Sequence, residues 1–223
     1  DADRVVHSLH AYFLRRGDFN APIVYFVDRS RDGHSFTSRR VTAIQHGEQI
    51  FNCSASFQVP EAGLEHQLGM PEVPPPEALP ESLLPGSEFL EGLSPRLRQF
   101  VHDRPIEFRA VPASLTATMA GANRQYLWIR TVDRLPDDDR LHQCLLAYAS
   151  DFHLLGTALA RHKLSIAAGK LLIASIDHAM WFHRRVRIDD WLLYAADSPS
   201  ACARKRSAPG SSIPPSPRRW PSS

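Results

Sequence analysis

Residues 137–155 read DDDRLHQCLLAYASDFHLL, and the fold turns on that stretch. Asp137, Asp138 and Asp139 place acids where a helix begins, and free backbone N–H groups and the helix dipole favour negative charge there. Leu141, Cys144, Leu145, Tyr148, Phe152 and Leu155 then recur at helical spacing and form one apolar stripe. Strand-like runs stand on both sides. PIEFRAV (105–111) and RQYLWIRTVDRL (124–135) precede the helix; LLIASIDHAMWFHRR (171–185) and DWLLYAADS (190–198) follow it. The order strand, strand, helix, strand, strand predicts a sheet wrapped round one long helix over residues 105–201.

Working outward, residues 1–60 read as β-structure. In IFNCSASFQV (50–59), Phe51, Cys53, Ala55, Phe57 and Val59 alternate with Asn52, Ser54, Ser56 and Gln58, so one face is apolar. His46-Gly47 supplies a turn before it, and SFTSRRVTAI (35–44) is its expected hairpin partner. Arg31-Asp32-Gly33 marks a turn back to IVYFVDRS (23–30), and Arg16-Gly17-Asp18 closes VVHSLHAYFL (5–14). Four strands with tight turns predict an antiparallel meander. Its apolar face needs a cover, yet no helix is readable in these sixty residues.

Residues 61–104 differ in character. Seven prolines fall between Pro60 and Pro85, including Pro74-Pro75-Pro76, so a semi-rigid linker is expected, with short helical turns in ESLLPGSEFLEGLSPRLRQFV (81–101). Residues 202–223 are mostly Ser, Pro, Arg, Lys and small side chains, without periodicity, and are expected to be disordered.

The composition, 43% hydrophobic and 22% charged over 223 residues, is that of a globular chain. The net charge is +2, but five Lys/Arg and no acid lie in residues 202–223, which leaves −3 for the rest. That argues against a nucleic-acid-binding surface on the folded part. No run reaches the ~20 apolar residues of a membrane span, and the N-terminus lacks the order of a secretory signal. Cys53, Cys144 and Cys202 are odd in number and far apart, so free thiols in a reducing compartment are expected.

Several segments together resemble the type II acyl-CoA thioesterases: VHSLHAYFLRRGD (6–18), DRSRDGHSFTSRRVTAIQHGEQIFNCSASFQ (28–58), LHQCLLAYASDFHLL (141–155), ASIDHAMWFHRR (174–185) and DDWLLYAADSPSA (189–201). The resemblance covers residues 5–201 and implies an α+β double hot-dog fold, two antiparallel sheets each wrapping a long central helix. It also implies that the first unit (1–60) lacks its N-terminal strand and helix, that the second (105–201) lacks its last strands, and that the tail is a departure of the kind a reading-frame change produces.

The activity implied is hydrolysis of fatty acyl-CoA to free fatty acid and CoA by an activated water. The family's site is an Asp on the second unit's helix, a Ser or Thr on the following strand, and a Gln near the C-terminus. Asp151 and Ser175 fall on the first two positions; no residue here matches the Gln. No Ser-His-Asp order or nucleophile elbow suggests an acyl-enzyme. Asp177 should share the face of Ser175, two residues away, while His178 points to the opposite face and is read as structural, binding or orienting. His7 and His10 are left without a role; Trp181 and Phe182 are read as core aromatics. His178 and His183, five apart on a strand, face opposite sides, so no metal is expected and no cofactor either. The resemblance implies acyl-CoA as the partner and a homo-oligomer through hot-dog sheets. The chain does not end in a Ser-Lys-Leu peroxisomal address, so the cytoplasm is the expected location. Two alternatives stay open: a catalytically impaired remnant that folds, oligomerises or binds acyl-CoA, and an acyl-CoA hydratase, which needs a different Asp/His arrangement.

Overall fold

The computed structural model describes residues 3–81, 95, 98–99, 103–115, 124–152, 154, 157–158, 162 and 174–198. The expected disordered tail and most of the expected helical turns in 81–101 lie outside them. The elements run β1 (Val5–Phe13), β2 (Val24–Asp32), β3 (Phe36–Gln45), β4 (Glu48–Gln58), a 3-10 turn at Pro76–Ala78, β5 (Ile106–Ala110), β6 (Arg124–Thr131), α1 (Asp139–Ser150), β7 (Asp177–Trp181) and β8 (Leu192–Asp197). Among the described residues no helix is long and apolar enough to cross a membrane.

His46 and Gly47 both adopt positive φ (51° and 77°) and close a two-residue hairpin with Gln45 opposite Glu48. Two left-handed residues give the turn a twist that matches the strands it joins. The expected meander is altered at its start. β1 pairs with β4, not with β2, so the order is β2-β3-β4-β1-β7. The reason is the connection after β1, which is no tight turn. Leu14 and Arg15 donate to the Ile50 carbonyl, and buried Gln45 binds the Asp18 amide and the carbonyls of Asp18 and Ala21. These bonds carry the chain across the ends of β4 and β3 before β2 begins.

A larger departure concerns β7. Read as part of a second-unit strand over 171–185, it is shorter and joins the first sheet, antiparallel to β1 with Ala11 opposite His178. Phe13 N–H to Ile176 O and Phe182 N–H to His7 O, both 2.9 Å, extend the pairing at each end. The second sheet is β5-β6-β8. An unpaired strand edge is a row of unmet donors and acceptors. β1 offers such an edge, and β7 satisfies it.

The expected helix starts where the acids predicted. Asp138 caps it, its carboxylate accepting the Arg140 N–H at 3.0 Å, and this bond leads the lowering of its pKa. The stripe is corrected in two respects. The helix ends at Ser150, so Phe152 lies beyond it, and Leu155 falls outside the described residues. Cys144 and Tyr148 are exposed, and His142, Gln143 and Ala149 are the buried positions. The cause is that α1 lies between two sheets. It packs Leu145, Leu146 and Ala149 on Ile106, Phe108, Leu127 and Ile129 of the three-stranded sheet, with Ile188 beside them. Cys144 and Tyr148 turn toward the five-stranded sheet, where cavities replace close packing.

The outer face of the three-stranded sheet is covered by part of the proline-rich stretch. Val73 and Leu79 pack with Val111, Tyr126, Trp128, Trp191 and Leu193. The Trp128 indole N–H donates to Pro74 O at 2.9 Å, and Arg109 donates to Pro76 O at 2.7 Å. Residues 73–79 therefore act as a packed cover and not as a free spacer.

Candidate active site

The end of α1 sets the site. Ser150 turns its hydroxyl back to the Ala147 carbonyl at 2.8 Å, a bond that competes with the helix ladder. Asp151 is the C-cap. A carboxylate there opposes the helix dipole at a cost of about 0.3–1 kcal/mol, so local helix energetics do not account for an acid at this point. Tyr194 of β8 donates to the Ser150 carbonyl at 2.9 Å and satisfies one of the acceptors a helix end leaves open. Burial, followed by the nearby Asp151 charge, pushes the Tyr194 phenol up to about 12, so it remains a donor.

β7 brings His178 to the same place. Pairing with β1 puts His178 opposite Ala11 and on the face that carries Cys53 and Phe51. Its Nε2 lies 2.8 Å from Ser150 Oγ, and its Nδ1 lies 3.8 Å from Asp151 Oδ1. The imidazole is 13% exposed and the carboxylate 46%. Both line a cavity of about 480 Å³ whose other walls are mostly apolar: Leu9, Ala11, Phe13, Phe51, Ala147 and Phe152, with Cys53 and Tyr148. Burial pushes the Cys53 thiol up, away from the thiolate form, and does the same to the Tyr148 phenol. A second cavity of about 340 Å³ continues along α1, sharing Leu9 and Ala147 and reaching Arg4, Arg39 and Arg140.

The two residues singled out by sequence are thus placed differently. Asp151 stands at the mouth of the cavity. Ser175 is exposed, two residues before β7, and is not among the cavity's lining residues. Asp177 lies on the other side of the sheet, 3.3 Å from His10 Nε2. His178, read as structural, binding or orienting, is the side chain beside Asp151. Parity along the strand correctly separates Asp177 from His178 but does not say which of the two faces the helix; the register with β1 decides that. His7 bonds Ser56 Oγ at 2.8 Å. Trp181 is 62% exposed and Phe182 lines the second cavity, so the reading of both as core aromatics is corrected. The two point to opposite faces: Phe182 toward α1, and Trp181 to the face that carries Ser8, His10 and Ser54. Among those residues no group of three His, Cys, Asp or Glu side chains is placed to hold a metal ion.

Chemically, a carboxylate and an imidazole at the mouth of an apolar cavity can activate a water next to a bound aliphatic chain. Comparison with known proteins agrees with that chemistry. Residues 97–212 match the model of the acyl-CoA thioesterase family, and residues 1–58 match that of the acyl-CoA thioesterase N-terminal domain. The chain is 41% identical over 208 residues to acyl-coenzyme A thioesterase 8 of Mus musculus, covering 88% of this chain and 64% of that protein. It is 40% identical over 211 residues to acyl-CoA thioesterase 2 of Haemophilus influenzae, covering 93% and 73%. Among solved structures, the acyl-CoA thioesterase II TesB2 of Mycobacterium marinum superposes with a TM-score of 0.76 at 47% identity, over 91% of this chain and 71% of that one. A hot-dog-fold protein of Alicyclobacillus acidocaldarius superposes with a TM-score of 0.59 at 18% identity and shares the fold.

Proposed function

The chain belongs to the acyl-CoA thioesterase family, and from that membership we propose that it hydrolyses fatty acyl-CoA to free fatty acid and CoA. Water attacks the thioester carbonyl directly. The observation that carries this reading is Asp151 at the mouth of an apolar cavity of about 480 Å³. Asp151 takes the proton of the water, and the apolar walls hold the acyl chain. Ser175 is assigned the hydroxyl that orients the reactants, on the strength of its place in the ASIDH motif. No residue is assigned the role of the family's Gln. Copies of the chain associate through sheet edges; β2, exposed along its whole length, is the open edge that supports this. A reducing, cytoplasmic setting fits the free thiols of Cys53 and Cys144.

The test is thiol release from a series of saturated acyl-CoA substrates. Loss of a positioned general base costs ~10²–10⁴-fold, so Asp151→Asn should lower kcat by about 10³-fold with KM little changed. A folded wild-type chain that releases no thiol from any chain length would favour the impaired remnant instead.

A further inference from the structure

The hydrogen bonds around Ser150 determine which nitrogen of His178 carries a proton. The Ser150 hydroxyl has one hydrogen and two neighbours at 2.8 Å, the Ala147 carbonyl oxygen and His178 Nε2. A carbonyl only accepts, so the hydroxyl proton goes to Ala147. Ser150 Oγ must then accept from His178, which places the imidazole proton on Nε2. In the neutral ring Nδ1 is left with a bare lone pair, 3.8 Å from Asp151 Oδ1. Two acceptors face each other at the cavity mouth, and the arrangement calls for a donor between them. A single water within about 2.8 Å of both spans that separation with an angle its two O–H bonds accommodate.

We propose that His178 Nδ1 and Asp151 Oδ1 together hold the attacking water, each accepting one of its protons, so that His178 is a second catalytic residue of the hydrolysis. This rests on the thioesterase reading above. The water oxygen bonds to the thioester carbonyl carbon, and the carbonyl π pair moves onto its oxygen. One water proton passes to Asp151 while His178 Nδ1 keeps the other in position. When the tetrahedral species collapses, the C–S bond breaks with its pair on sulfur. Sulfur takes the proton from Asp151, giving the free acid and CoA thiol. Ser150, His178 and Asp151 have the outline of a nucleophilic triad, but the Ser150 hydroxyl is committed to Ala147 and does not line the cavity. Its part is to fix the ring.

Two substitutions separate the two nitrogens. His178→Gln sets an amide near the Nε2 position, keeps the bond to Ser150 and removes the acceptor facing Asp151. His178→Asn keeps an acceptor near Nδ1 and loses Ser150. Using the full chain and thiol release, His178→Gln should lower kcat by ~10²-fold with KM within about twofold. His178→Asn and Ser150→Ala should each lose less than ~10-fold. ¹⁵N resonances of the His178 ring, identified by their loss in His178→Asn, should report a protonated Nε2 and a bare Nδ1. The inference is overturned if His178→Gln keeps wild-type kcat while His178→Asn and Ser150→Ala fall, because His178 would then only anchor the helix end. It is equally overturned if Ser150→Ala abolishes turnover, or if the ring carries its proton on Nδ1. A folded wild-type chain that releases no thiol overturns the thioesterase reading itself, and with it this one.

Discussion

The two sheets are held together by different means. The three-stranded sheet is covered on both faces. α1 and Ile188 cover Ile106, Phe108, Leu127 and Ile129 on one, and residues 73–79 cover Tyr126 and Trp128 on the other. The five-stranded sheet has long β1–β4 and β3–β4 ladders, each interrupted by one register shift, but contributes only Ala11 and Ala43 to the buried apolar residues. Its apolar face borders cavities, and β2 presents Val24, Tyr25, Phe26 and Val27 to solvent. Backbone pairing predominates in that sheet, whereas side-chain packing fixes the other. The candidate site lies at the seam, with Asp151, Tyr148 and Phe152 from the packed half and His178, Ala11 and Phe51 from the open one.

The largest expected difference is between two phenylalanines. Phe108 is fully buried against Ile106, Leu127 and Phe152. Phe108→Ala should cost about 3–5 kcal/mol in chemical denaturation. Phe51 is half-buried, touches Phe13 and already borders a cavity. Phe51→Ala should cost only about 1–2 kcal/mol. Equal costs would remove the contrast between the sheets.

Next comes a charge found in the packed half. Asp189 is held well below the usual carboxylate range, led by its hydrogen bond to Arg187, with burial opposing and the Leu135 amide helping. A depressed folded pKa adds stability above the ordinary value near 3.8, and that stability is lost as pH falls through the lower folded value. Asp189→Asn should therefore lower Tm at neutral pH, and the gap from wild type should close as the solution is acidified below the ordinary value. A gap that does not change with pH would show that the loss is one of shape and not of charge.

The smallest effects separate two alanines on one helix. Ala149 is fully buried under the three-stranded sheet, so Ala149→Leu should cost about 1–3 kcal/mol by overpacking. Ala147 borders both cavities, so Ala147→Leu should leave Tm unchanged or raise it. Calorimetry on the pair reads the sign directly.

What was legible in the sequence follows the range of the interaction involved. The alternation at 51–59, the His46-Gly47 turn and the Asp138 cap are local features, and each stands where the pattern puts it. Strand neighbours are not local. A period of two tells which residues share a face, but it does not say that β1 skips β2 for β4 or that β7 leaves its own half of the chain. The same limit governs the site. Asp151 is legible as a motif position, while the placement of His178 beside it depends on pairing with Ala11, which is remote in sequence. Cys144 and Tyr148 were misplaced because helical spacing marks an apolar stripe without counting how many sheets the helix meets.

The β1–β7 ladder has a consequence for how the chain is made. His10 and Asp177, which meet across it, are 167 residues apart. At ~5–20 residues per second, ribosomal synthesis leaves the β1 edge open for roughly ten to thirty seconds before β7 emerges. The β1–β4 half of the sheet can assemble early, but its closing strand arrives only after the whole intervening segment has been made. During that interval the nascent chain presents an unpaired strand to its neighbours, and crowding of such chains on one message is the condition under which they would pair with each other instead.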